Sequence, residues 1–267
     1  MSTFVNLGIL SLNQRLNEID LIVNAAKGVF ESDNSLYNSL CRSAQVLLSA
    51  HFEGYLKELI KNVMEDINQC SSFRHSHKQL KKRVCEYFLV SNNEKITNEK
   101  HIKIQELIEI FEELNIKFKK EYFYGGTENK NPKASILDKI AEQFGVNVFF
   151  NQIAQSNLDL VFSDTYQSSV QRCSQIKSYL IEKTTGYPYQ IKKEFLEIDS
   201  EKRVTDNLWE AFLSDMLKRR HDIAHGTEIE SSVSHHTIEF DRVKVEILLY
   251  AFTILICIQC NPIAEMT

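Results

Sequence analysis

The run Lys218-Arg219-Arg220-His221-Asp222-Ile223-Ala224-His225-Gly226 gathers three cations, two imidazoles and a carboxylate in nine residues. An imidazole titrates near neutral pH and can take or give a proton in a reaction. A guanidinium presents planar, paired donors that match phosphate oxygens. Arg220 and His225 could therefore bind a phosphate and move a proton beside it. His225 would move protons and Arg220 would hold the phosphate, with His221 or Asp222 orienting or assisting. Lys218 and Arg219 are candidates for holding an RNA backbone. They are equally the ordinary partners of a helix dipole in its last turn.

His221 and His225 are four apart, a spacing at which a helix can present two metal ligands. The zinc-protease pattern needs Glu directly after the first His. Asp222 stands there instead, and no third ligand is evident. Neither a metal nor a cofactor is expected.

These residues need a helix to carry them. Asn207 with Glu210 three residues later marks its start, and Trp209, Phe212, Leu213, Met216 and Leu217 form its apolar stripe. Arg220 follows Trp209 by eleven residues, almost three full turns, so it continues that stripe. A guanidinium there must be paired or must line a cleft. Gly226 ends the helix, and a polar loop over 228–236 leads to a last helix with Val243, Ile247, Tyr250, Ala251, Ile254 and Ile258 inward. Near the start, Ile9, Leu12, Leu16, Ile19, Val23 and Ala26 mark a first helix, stopped at Gly28 and the polar run 31–34. A second helix runs from Ser35 to about Asn68, with Leu48, Phe52, Leu56, Leu59 and Val63 as its stripe. Glu53 lies at the edge of that stripe. It is either a boundary residue at the core rim or a partner of Arg220 across the bundle.

The middle is less regular. Residues 77–89 form a helix with a basic face, and His75, His77, Lys78, Lys81, Lys82 and Arg83 make a stretch that either tracks an RNA backbone or is a solvated face. A helix over 99–114 is predicted to bury Ile102, Leu107, Ile110, Phe111 and Leu114. A turn cluster at 124–129 and Asn131-Pro132 follows, then a helix over 135–143 with Ser135 as N-cap, Asp138 behind it and Gly145 past its end. Residues 171–182 read as helix, and Gly186-Tyr187-Pro188 breaks the chain. Residues 146–169 and 189–202 carry no readable period. Tyr122, Phe123 and Tyr124 are base-stacking candidates, with packing as the favoured alternative. Cys257-x-x-Cys260 has a redox or zinc half-site spacing, yet its apolar neighbours favour burial.

Composition sets the outer bounds. The chain has 267 residues, a net charge of -5, 8 Gly and 3 Pro, with a sequence pI near 5.9. So few turn formers exclude an all-β sandwich or barrel. The acidic balance excludes a generally basic nucleic-acid coat, leaving only a local patch. Six scattered cysteines do not read as a disulfide framework. The N-terminal residues show no signal pattern. The most apolar run, 247–258, is shorter than the roughly 20 residues that span a bilayer, so it reads as a buried core helix. A cytoplasmic protein in one all-α domain over 1–267, without membrane association, is expected.

Two segments resemble a known family. Arg220, four intervening residues and His225 match the Arg-x4–6-His motif of the HEPN superfamily (higher eukaryotes and prokaryotes nucleotide-binding). The local string is similar to that family's Arg-Asn-x-x-Ala-His-Gly, with His221 in place of Asn. Ser49-Ala50-His51-Phe52-Glu53-Gly54-Tyr55-Leu56-Lys57-Glu58-Leu59 looks like the early helix of the MAE-type and RiboL-PSP-type members, which often carry a Phe-Glu pair there. The resemblance covers about 36–66 and 205–258, leaving an insertion-like middle of about 70–204. It implies a HEPN-like helical bundle, usually a homodimer whose two Arg/His motifs face each other across an interfacial cleft. It implies RNA as substrate, since many members are metal-independent endoribonucleases of toxin–antitoxin or antiviral systems. An antitoxin or a defence-complex partner is implied with it. Other members have lost catalysis and bind nucleotides or proteins.

Overall fold

A computed structural model describes residues 2–89, 97–124, 131–226 and 233–262. Nine α-helices follow in chain order: α1 Phe4–Val29, α2 Asn34–Cys70, α3 Lys78–Leu89, α4 Asn98–Leu114, α5 Ala134–Gln143, α6 Phe149–Ala154, α7 Tyr166–Lys183, α8 Leu208–His225 and α9 His235–Cys260. Three 3₁₀ turns, Lys120–Phe123, Asn157–Phe162 and Lys193–Leu196, link them. No strand occurs among the described residues, and the fold is all-α.

Local chemistry sets the helix starts. The side chains of Thr3, Asp33, Thr97, Thr165, Asn207 and Ser234 each accept a hydrogen bond from a first-turn amide. Each such cap stabilises its helix by about 1 kcal/mol. The expected cap at Ser135 is not one of them. Lys133 occupies the N-cap position of α5 and makes no side-chain cap bond. Asp138 instead accepts from the Phe150 amide at 3.2 Å, tying α5 to α6.

The core is organised around α9. From Val245 to Cys257 every residue is buried, and α1, α2 and α7 pack around it. By length and composition this helix could cross a membrane, but 83% of its apolar window is covered by the protein itself. It is the core helix that the 247–258 run predicts. Two contacts fix α2 against it. The Tyr37 hydroxyl meets His235 Nδ1 at 3.0 Å, and the Tyr55 hydroxyl meets the Thr253 hydroxyl at 2.9 Å. Both pairs are 198 residues apart in sequence, so α2 and α9 run parallel and in register over about 27 Å. On α2 the Gln45 amide donates to the Met216 carbonyl of α8 at 3.4 Å. An ion pair between Arg219 and Asp241 brings the end of α8 to the start of α9. Helix α8 therefore runs antiparallel to both.

The stripe expected for 99–114 is partly out of phase, with Leu107 and Phe111 half-buried on the inner side as expected. Ile102, Ile110 and Leu114 are 62%, 50% and 68% exposed, while Ile104 and Ile108 are buried. Those two pack with Cys85 of α3 in a small cluster separate from the main core. A helix that covers only one neighbour buries a narrow strip, and alternate apolar residues on its outer side mislead the wheel. The turn residues 125–130 and the loop residues 227–232 lie outside the described residues.

Candidate functional site

The site grows from the last two turns of α8. Asn207 opens the helix by accepting from the amides of Trp209 and Glu210. Trp209, Phe212, Leu213 and Met216 are buried beneath it. Gly226 closes it in the left-handed region at φ +64°, which a residue without Cβ adopts at least cost. This construction presents Arg220, His221, Asp222 and His225 at one end of the bundle.

Their directions differ. At 100° per residue, His221 and His225 are 40° apart around the axis, whereas Arg220 and His225 are about 140° apart. The two imidazole rings accordingly lie together, centroids 4.3 Å apart with planes at 51°, and both are exposed. Arg220 is half-buried and turns into a groove of about 740 Å³ between α5 and α8. His221 and Lys218 line that groove with it, Lys133 and Ser135 face them from α5, and Glu210 lies at its far end. His221 is thus the link between the arginine's groove and His225. Asp222 is half-buried beside them.

The arginine with a buried carboxylate is Arg219, not Arg220. Arg219 is ion-paired with Asp241 of α9, which is 4% exposed. Burial pushes the Asp241 carboxyl up from the ordinary aspartate range, and Arg219 opposes that shift. One turn further along α9, the Lys244 ammonium lies 5.1, 5.5 and 5.7 Å from the ring centres of Phe162, Phe212 and Phe240. Arg219 is therefore engaged in holding α8 to α9, which removes its guanidinium from the expected RNA surface. Arg220 meets the second of its two expected fates, lining a cleft. It has no ion pair or hydrogen bond among the described residues.

Glu53 does not reach Arg220. It accepts from Lys57 on its own helix at 2.7 Å. With Gln45 beside Met216, Glu53 lies eight residues one way along antiparallel helices and Arg220 four the other. That separates them by about 18 Å along the bundle. The basic stretch of α3 is also engaged elsewhere. Lys81 donates to Glu112 at 2.7 Å, Lys82 lies 3.6 Å from Glu86, and Arg83 donates to the Tyr122 carbonyl at 3.2 Å and to Glu86 at 3.4 Å. Lys81 thus clamps α3 to α4 and Arg83 clamps it to the turn at 120–123, while Lys82 pairs within α3. Tyr122, Phe123 and Tyr124 are buried, as are Cys257 and Cys260, whose thiols burial pushes well up. No group of three His, Cys, Asp or Glu able to hold a metal occurs among the described residues.

Lys133 and Ser135 carry no motif in the sequence. Only the packing of α5 against α8 brings them to Arg220.

The described residues thus form an all-α bundle with an Arg/His cluster at the end of α8. A model of the RiboL-PSP-HEPN family matches residues 10–257, and the chain belongs to that family. The match runs through the middle segment as well. No curated protein and no solved structure matches the chain. Membership is compatible with nuclease or with nucleotide-binding roles.

Proposed function

We propose that the chain is a metal-independent endoribonuclease acting through Arg220 and His225, with His221 assisting. The observation that carries this reading is the pairing of an Arg220 without a protein partner among the described residues, in an open groove, with an imidazole pair at its rim. Arg220 holds the non-bridging oxygens of the scissile phosphate. His225 takes the proton from the 2′-hydroxyl, O2′ attacks phosphorus, and the bond to the 5′-oxygen breaks. A second imidazole returns a proton to that leaving oxygen, so the products are a 2′,3′-cyclic phosphate and a 5′-hydroxyl. The 140° between Arg220 and His225 in one chain supports a homodimer. A two-fold axis near the motif sets each Arg220 against the His225 of a second copy. In this role the protein is a toxin or antiviral effector restrained by an antitoxin or a defence-complex partner.

Incubation with total RNA in the presence of EDTA, followed by end-group analysis, tests the chemistry. Fragments ending in 2′,3′-cyclic phosphate are expected. Activity lost in EDTA and restored by one divalent metal would contradict it.

A further inference from the structure

We propose that the groove between α5 and α8 seats one unpaired nucleotide adjoining the cleaved linkage, with its phosphate held by Lys133 and Lys218 beside Arg220. The inference rests on the ribonuclease reading and adds to it a nucleotide subsite outside the Arg/His motif and a residue that binds there, Lys133.

Charge is the first support. Lys133, Lys218 and Arg220 line the groove, Lys218 and Arg220 from opposite flanks of the α8 face it exposes, and none has an ion pair among the described residues. Several other basic side chains are engaged: Lys81, Lys82 and Arg83 as above, Arg219 with Asp241, and Arg242 with Asp20 and Glu246. In a chain of net charge -5, a groove lined by three cations and one carboxylate is locally cationic and suits an anion. Glu210, also at the groove, stands ten residues before Arg220, about 15 Å along α8, too far to neutralise the cationic end.

Size and surface are the second. A volume of about 740 Å³ lies within the roughly 300–1,000 Å³ of small-molecule sites and far exceeds a bare phosphate. Leu217 and Ala134, both half-buried, give the groove an apolar wall for the face of a base. A base lying there has left any duplex, because A-form pairing hides base faces in the stack. An acidic peptide would use the cations but has no call on that wall.

Position is the third. His221 lines the groove and touches His225. A strand with one nucleotide in the groove therefore carries its next linkage past the imidazole pair. Because α5 belongs to the middle of the chain, that segment supplies substrate selection while α8 supplies chemistry.

The test uses the full chain with His225→Ala, which binds without cutting, and a fluorescein-labelled single-stranded oligoribonucleotide. Adding Lys133→Ala should weaken binding about three- to tenfold and lower the log–log salt slope by about one. Lys133→Arg should restore most of the loss. In the otherwise unaltered chain, Lys133→Ala should raise KM for cleavage by a similar factor, with a smaller change in kcat. Lys133 makes no cap bond, so circular dichroism should show an intact fold. Unchanged binding and KM in Lys133→Ala would overturn the groove assignment while leaving the ribonuclease reading intact. So would equal binding of a duplex of the same sequence, or displacement of the RNA by polyglutamate at equal charge concentration. RNA neither bound nor cut by any form would overturn both.

Discussion

One step of 100° around α8 separates Arg219 from Arg220 and sends their side chains to different surroundings. Arg219 faces α9 and neutralises Asp241, while Arg220 faces the groove. Arg219→Ala leaves a buried carboxylate without its partner and should cost about 3 kcal/mol. Arg220→Ala removes no ion pair or hydrogen bond among the described residues, only the packing of a half-buried side chain, and should shift stability by no more than about 1 kcal/mol. Urea denaturation of the two variants checks both figures. The sequence wheel already turned Arg220 toward a cleft. It could not show which arginine met a carboxylate, because Asp241 arrives from another helix. Glu53 was misleading for a related reason: a residue at the edge of a stripe pairs with whatever lies four residues away, and here that is Lys57. The cysteines were readable from their neighbours. Cys70 is exposed and the other five are buried, so a thiol reagent should label one site in the native protein and six after unfolding.

Helix ends and helix contacts hold the motif in place. Gly226 adopts φ +64°, and a Cβ there would meet no atom within 4 Å. Gly226→Ala should therefore cost only the backbone term, about 1 kcal/mol, read as a lowered Tm. At the other junction, burial lowers the proton affinity of His235, which shares a hydrogen bond with Tyr37. Its contribution to stability is complete above the ordinary histidine value of 6.5 and is lost as pH falls through the lower folded value. The stability gap between the parent protein and His235→Gln should consequently shrink from pH 7.5 to pH 5. A gap that widens on acidification would contradict the assignment. Long helices with many buried positions, α1, α2, α8 and α9, were legible because their stripes repeat over several turns. Helix α4 was placed correctly and turned only partly right: Leu107 and Phe111 do pack on its inner side, but Ile104 and Ile108 are its buried centre. Helix α6 and the 3₁₀ turns are too short to show a period.

At the scale of the molecule, the proposed ribonuclease works as two copies. Arg220 and His225 point to different sides of one helix, and the proposed two-fold pair would reunite them. Light scattering should give about twice 31.0 kDa. Mixing His225→Ala subunits with Arg220→Ala subunits should recover part of the activity, because one of the two composite sites is then whole. A fully active monomer would remove the shared cleft from the account. The most direct measurement is single-turnover cleavage of one oligoribonucleotide, in EDTA, by the parent protein, His225→Ala and Arg220→Ala, each checked for folding by circular dichroism. The account predicts cleavage by the parent, none detectable by either variant, and none of a substrate lacking the 2′-hydroxyl at the scissile position. Cleavage at the parent rate by folded His225→Ala, or of the 2′-deoxy substrate, would contradict it.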